Sequence, residues 1–227
     1  MIKGAFAASL MALANAQTYY TADNYTGALI SLPVSVSEAL CFQQNGYDSS
    51  ITRVFYDGHL DINDCSNLNA LMGGGVMYRD ALLQPSVYYG SPRAQVEATV
   101  SQLRTNCQGA WSGTLWLDAT AQDYTFAPVP VDNQYFLQQL LMACDEFDIT
   151  CGIYTNMADW TTLMGSASYK GAQNRRLWYL STDGNANFND FESFGGWTSA
   201  AVWGKTYNAA NSFCGVTVQQ VYIPSQE

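Results

Sequence analysis

The sequence predicts an α/β fold, an irregular TIM-like (β/α) barrel in which parallel strands come first and antiparallel strands close it. Three observations lead there. Strand and helix signals alternate from Gly27 to Met164, as expected of parallel strands joined by crossover helices. Beyond Arg176 the strands are separated by Gly- and Asn-rich turns without clear helices. The chain has 227 residues, 48% of them hydrophobic, which suits one large domain with a sizeable core. No internal repeat or linker divides it.

The first element precedes the barrel. Residues 1–16 begin Met-Ile-Lys, continue apolar from Gly4 to Ala14, and end Ala14-Asn15-Ala16 before Gln17. A short basic start, an apolar core and a small-x-small step describe a secretory signal peptide, too short to span a membrane. It is expected either to be removed or to stay on as an apolar arm packed against a neighbouring subunit. The single barrel domain is then residues 17–227, secreted or held at the cell surface. Asn24-Tyr25-Thr26 is an Asn-x-Ser/Thr sequon, so Asn24 is a glycan acceptor candidate.

The strand candidates are Gly27–Ser31, Ser50–Tyr56, Gly75–Leu83, Gly113–Asp118, Thr150–Thr155, Arg176–Ser181, Ala200–Tyr207 and Gly215–Ile223. Ser35-x-x-Glu38 is a capping box that opens a helix through Gln44, stopped by Asn45-Gly46. Pro92 starts a second helix with Val96, Val100 and Leu103 at helical spacing. Asp132 precedes a third, Tyr135–Phe147, in which Phe136, Leu140, Ala143 and Phe147 share a face. Met157–Met164 is a shorter fourth. Gly113–Asp118 reads as a buried barrel strand with a polar tip, delivering Asp118 and then Thr120 to the barrel mouth.

Charged residues make up only 12% and the net charge is −10. So few cations cannot neutralise a run of phosphates, which argues against nucleic acid and anionic membranes as partners. Polarity comes from Asn, Gln, Ser, Thr and 15 tyrosines, which suits an extracellular protein, contacts with sugars, or packing between identical subunits. Cys41, Cys65, Cys107, Cys144, Cys151 and Cys214 lack Cys-x-x-Cys spacing, and His59 is the one histidine. A metal centre is not expected, and no cofactor motif is present. An even cysteine count behind a signal-like start implies up to three disulfides, whose pairing stays open among fifteen arrangements.

Taken in order, several stretches resemble the lysozymes of glycoside hydrolase family 25, the muramidases that cut peptidoglycan, and most of all the small Cys-containing eukaryotic members. They are Gly46-Tyr47 leading to Arg53, Trp116-Leu117-Asp118, Gly152-Ile153-Tyr154-Thr155 with Trp160, Leu177-Trp178-Tyr179, Phe194-Gly195-Gly196-Trp197, and Cys214-Gly215-Val216. The resemblance spans roughly residues 27–222 and implies the same barrel, with acids from four strands lining a groove at the carboxyl end. Here those positions are degenerate. Leu29 stands where an Asp belongs, Thr120 replaces the Glu of Asp-x-Glu, Gln219 replaces an Asp, and Gly204-Lys205 stand for Gln-Tyr. Asp118 is retained, and Asp183 is a second candidate.

Glycoside cleavage needs a proton for the leaving oxygen and negative charge near the forming oxocarbenium ion. In the family the Glu supplies the proton, while the neighbouring Asp orients the substrate's N-acetyl group. An alcohol is far too weak an acid for that role, and general acid catalysis alone is worth ~10²–10⁴ in rate. No catalytic residues are therefore expected. Asp118 has an alternative role as a strand-end residue bonding local amides. Asp57, Asp61, Asp123 and Asp183 could rebuild the site but read as loop residues, and His59 as a surface residue. Tyr154, Trp178, Tyr179 and Trp197 are groove aromatics by this reading, or core. The expectation is a secreted, catalytically inactive lysozyme-like protein with a structural role, its partner being itself in an extracellular filament. The alternatives are a pseudoenzyme binding glycan or bacterial wall, and a weak or altered glycosidase.

Overall fold

The computed structural model describes residues 24–122 and 125–224. The signal-like segment 1–16 and Asp123 lie outside the described residues. In chain order the elements are β1 (Tyr25–Ile30), α1 (Val36–Gln44), β2 (Tyr47–Tyr56), β3 (His59–Leu60), α2 (Asp64–Gly73), β4 (Tyr78–Leu83) and α3 (Pro92–Thr105). There follow β5 (Thr114–Asp118), α4 (Pro130–Glu146), β6 (Thr150–Thr155), α5 (Met157–Met164), β7 (Arg176–Leu180), β8 (Val202–Thr206), β9 (Asn211–Phe213) and β10 (Val216–Ile223).

The strands close into a barrel in the order β1-β10-β8-β7-β6-β5-β4-β2, with β2 pairing back onto β1. Neighbours from β1 through β8 run parallel. β10 runs antiparallel to both β1 and β8, and β3 and β9 are short antiparallel additions. This is the irregular barrel that the alternating first half and the turn-linked last third predict.

Alternation along each strand separates two cores. In β5, Leu115 and Leu117 face the helices, packing with Val96, Val100 and Leu103 of α3 and Leu137, Leu140 and Leu141 of α4. Trp116 and Asp118 face the barrel interior. The interior is packed in layers, as side chains of alternate strands fill a barrel. At its waist Trp116 and Trp178 meet edge to face with ring centroids 5.1 Å apart. Both are fully buried. Their indole N–H groups donate to Asp80 Oδ2 at 2.9 Å and to Thr206 Oγ1 at 3.0 Å, which meets the hydrogen-bonding need of a buried Trp.

Two glycines make room for these rings. A Cβ on Gly152 would sit 2.2 Å from Trp116 Cζ3, and one on Gly204 would sit 2.6 Å from Trp178 Cζ3. Each glycine lies beside its tryptophan in the neighbouring strand's register. The Gly of Gly152-Ile153-Tyr154 is thus a packing requirement.

The structure corrects several boundaries. α2 was not expected; it buries Leu68, Ala70 and Leu71, and its signal is hidden by an Asn- and Asp-rich start and the run Gly73-Gly74-Gly75. Because that run ends α2, β4 begins at Tyr78, not Gly75. α4 begins at Pro130 instead of Tyr135, since proline fits the first helical turn. The segment between β7 and β8 has only a 3₁₀ turn at Ser199–Ala201. It is pinned by Lys205, fully buried, whose ammonium reaches Asp190 at 2.6 Å and Asp183 at 2.9 Å. No helix among the described residues is long and apolar enough to cross a membrane.

The six cysteines pair as Cys41–Cys214, Cys65–Cys107 and Cys144–Cys151. The first bridges α1 to the turn before β10 across 173 residues, tying the two ends of the barrel together. Cross-links over such long loops restrict the unfolded chain most, by about 4–5 kcal/mol in the chain-entropy picture.

Replacing Gly152 with Ala forces Trp116 off its position. Overpacking of this kind costs about 1–3 kcal/mol, so G152A should show a clearly lower denaturant midpoint in equilibrium unfolding; an unchanged midpoint would contradict the packing described.

Candidate functional site

The parallel barrel strands point their carboxyl ends at a groove of about 340 Å³. β1 and β10 supply Leu29 and Gln219, which are direct register partners. β2 supplies Arg53, β4 Leu82 and Gln84, β5 Asp118 and Thr120, β6 Tyr154 and β7 Leu180, either from the strand or just past its end. Asp159, in the first turn of α5, completes the wall next to Asp118 and Tyr154. The groove is therefore apolar on Leu29, Leu82 and Leu180 and polar around Asp118.

Asp118 is buried, and its Oδ1 accepts two hydrogen bonds from Thr120, one from the backbone N–H at 3.0 Å and one from Oγ1 at 2.6 Å. That leaves Oδ2 for the groove. Thr120 Oγ1 accepts in turn from the Gln122 amide at 2.8 Å, and Gln122 Oε1 accepts from Gln84 at 2.7 Å. The polar wall is a hydrogen-bonded chain, Gln84 to Gln122 to Thr120 to Asp118, in which the terminal acceptor is the sole charged member.

Burial is the main reason the Asp118 carboxyl is pushed up to about 6. The Thr120 hydrogen bonds pull it down, the Asp159 charge pushes it further up, and Arg53 pulls it down weakly. Tyr154 stays protonated throughout the physiological range because it is buried. Asp159 is held as a cap: Asn156 Nδ2 donates to its Oδ2 at 2.7 Å, and its backbone N–H donates to Asn156 Oδ1 at 2.8 Å. Arg53 is tied to the buried Asp61, with Nε donating to Oδ2 at 3.0 Å.

Of the residues singled out from sequence, Leu29, Asp118, Thr120, Gln219 and Tyr154 come together in this groove. The other proposed aromatics do not. Trp178 has no exposed surface and lies at the barrel waist. Tyr179 faces the opposite side of its strand, where its hydroxyl donates to Asp190 at 3.3 Å. Trp197 is core, 1% exposed. Among the candidate substitute acids, Asp61 pairs with Arg53, Asp183 pairs with Lys205, and Asp57 sits in an exposed turn. Sequence reasoning missed Asp159, whose signal is the Asn156-x-x-Asp159 cap spacing directly after a barrel strand. It also missed the groove roles of Arg53, Gln84 and Gln122. Asp64, Cys65 and Cys107 bring ligand-type atoms within 4.8 Å, but both sulfurs are spent in a disulfide. Asn24 is exposed at the amino end of β1, opposite the mouth, where its Oδ1 accepts from the Tyr222 hydroxyl at 3.2 Å.

The Asp118 shift has a consequence for stability. The folded protein holds this proton more tightly than the unfolded chain, so stability falls as pH rises from about 4 to about 6. A shift from 3.8 to about 6 corresponds to a loss of up to about 3 kcal/mol. Denaturant unfolding of wild type and Asp118→Asn should converge at low pH and separate in favour of the variant across this window; parallel profiles would contradict the buried state of Asp118.

The lysozyme-like protein 1 family model matches residues 21–207. The chain is 31% identical over 202 residues to a probable GH family 25 lysozyme 4 of Dictyostelium discoideum, covering 88% of this chain and 91% of that one. It is 26% identical over 204 residues to lysozyme-like protein 5 of Caenorhabditis elegans, covering 87% and 91%. Its fold matches a muramidase from Acremonium alcalophilum with a TM-score of 0.70 at 14% identity, covering 89% and 94% of the two chains. With a family model over most of its length, full-length relatives and the same barrel, this chain belongs to the lysozyme-like proteins of glycoside hydrolase family 25.

Proposed function

We propose that this protein is a secreted, non-hydrolytic member of the family that holds an N-acetylated polysaccharide of the peptidoglycan type in the barrel-mouth groove. The observation that carries the reading is Thr120. It stands where the family keeps its proton donor, and its hydroxyl is already committed, donating to Asp118 and accepting from Gln122. A hydroxyl so placed cannot protonate a leaving oxygen near neutral pH. Asp159 does not supply the missing function simply by being an acid. It is clamped by Asn156 and lies on the same wall as Asp118, while the wall across the barrel presents Leu29 and Gln219.

What remains suits recognition. Asp118 Oδ2 can accept from a sugar amide or hydroxyl, Gln84, Gln122 and Gln219 offer neutral polar edges, and the three leucines suit the apolar face of a pyranose ring. Such a groove, with a few placed polar groups on an apolar floor, is the usual form of a ligand site. A glycan on Asn24 would stand clear of it, at the opposite end of the barrel.

A structural, self-assembling role is the second reading. It is favoured by the outer face of α4, where Val131, Tyr135 and Met142 are 63%, 69% and 60% exposed and recur at helical spacing. Sedimentation equilibrium of the wild type and a Val131→Ser/Tyr135→Ser variant addresses it: concentration-dependent growth lost in the variant supports assembly through α4, and a monomer in both removes it.

Purified protein should co-sediment with insoluble peptidoglycan while leaving the turbidity of a wall suspension unchanged. Asp118→Ala should weaken retention by about tenfold, the scale of losing a hydrogen bond to a charged group. Clearing of the suspension that disappears in Asp159→Asn would instead make Asp118 and Asp159 a working carboxyl pair.

A further inference from the structure

Exposed aromatic rings continue the groove on one side. β2 and β3 form a hairpin at the carboxyl end of β2, with the turn at Asp57 and Gly58. This hairpin therefore stands on the mouth side of the barrel, as does the loop that follows β4 and carries Tyr89. Tyr56, His59 and Tyr89 form a row there. The centroids of Tyr56 and His59 are 6.3 Å apart, and those of His59 and Tyr89 are 6.1 Å apart. All three are exposed: Tyr56 by 37%, Tyr89 by 45%, and the His59 side chain by 64%.

The row is built, and it joins the groove. Gly58 has φ +82°, and a Cβ there would lie 2.3 Å from Tyr89 Cγ, so this glycine both makes the turn and lets Tyr89 pack against it. Arg53 is the joint. Its guanidinium lies 3.9 Å from the centre of the Tyr56 ring, and the same residue lines the groove. One face of Tyr56 is thus covered by a groove residue, and the ring itself extends outward from the mouth. The three rings thus keep open faces towards solvent beside the groove.

We propose that Tyr56, His59 and Tyr89 form a saccharide-stacking subsite that receives the sugars of an N-acetylated oligosaccharide extending out of the groove past Arg53. This rests on the glycan-binding reading above and adds to it a length preference. A disaccharide fills the groove alone, whereas a longer chain reaches the rim and gains ring-face contacts there. Aromatic rings provide apolar faces with polar edges, which match the alternating C–H and hydroxyl surface of a pyranose. The oligosaccharide is favoured over other occupants because the rim is continuous with the groove through Arg53.

His59 is the chain's one histidine, so its imidazole protons give a single set of NMR signals from the middle of the row. The probes are chitobiose and chitohexaose, titrated at fixed pH and followed by these signals, by backbone amide shifts around Asp118, and by calorimetry. The hexasaccharide should move the His59 signals and bind more tightly than the disaccharide, which should move only the groove amides. Tyr89→Ala should weaken the hexasaccharide by about fivefold to tenfold and leave the disaccharide unchanged, and Tyr56→Ala should weaken the hexasaccharide at least as much. Gly58→Ala, which displaces Tyr89, should behave like Tyr89→Ala, and Tyr89→Trp should keep the preference. Groove amides that respond while His59 stays still, with hexasaccharide affinity unchanged in folded Tyr89→Ala, would overturn the subsite and leave the groove reading standing. No response to either sugar would overturn both.

Discussion

The Trp116–Trp178 contact at the barrel waist sets the geometry of everything above it. Two indoles meeting edge to face fill a cross-section that other barrels fill with several branched side chains. They fit only because Gly152 and Gly204 leave the neighbouring strands bare at the same level. Once this layer is fixed, the pleat fixes the next. Asp118 stands two residues beyond Trp116 and Leu180 two beyond Trp178, and Tyr154 two beyond Gly152. All three must project inward at the mouth. The groove is the layer above a pair of tryptophans, and its residues cannot turn away without a register shift, which would reverse every side chain on the strand.

That rigidity makes the identities of the residues at the mouth informative. Leu29 and Gln219 face each other across the β1–β10 pair, and Thr120 lies two residues past Asp118, beyond the end of β5. None of the side chains of Leu29, Gln219 and Thr120 ionises in the working range, and on the proposed reading each stands where the family pattern has an acid. These residues are mutually compatible. Leu29 joins Leu82 and Leu180 in an apolar floor, and Thr120 links Gln122 to Asp118 in a hydrogen-bonded chain. The Asp118 carboxyl is pushed up to about 6 chiefly by its burial. On the proposed reading, a wall with Thr120, Leu29 and Gln219 at these positions suits holding a sugar better than cutting one.

The barrel was legible in the sequence because its signals are local. Ser35-x-x-Glu38, Pro92 and the Gly113–Asp118 strand each announce an element by capping, ring constraint or alternation, and each stands where expected. α2 was not legible, because three consecutive glycines and a polar start mask a helix whose stability comes from packing on α1 and β2. At the site, Asp118 and Thr120 were legible as the polar tip of a buried strand, and Leu29, Tyr154 and Gln219 through the resemblance to the family's motifs. Asp159 was missed because it reaches the groove from a helix cap, where nothing in strand periodicity points. Trp178 and Tyr179 were misplaced for a related reason. Adjacent residues on a strand face opposite ways, so at most one of the two could line the interior, and the one that does sits a layer too deep.

The central claim is that a polysaccharide held in this groove leaves it uncut. The most direct measurement is mass spectrometry of a defined N-acetylated oligosaccharide after prolonged incubation with stoichiometric pure protein, under conditions where the bound fraction is verified by calorimetry. The oligosaccharide recovered at its starting mass, with no new reducing ends, is the result expected of Thr120 in place of an acid. Shorter products appearing in proportion to the bound fraction would contradict it.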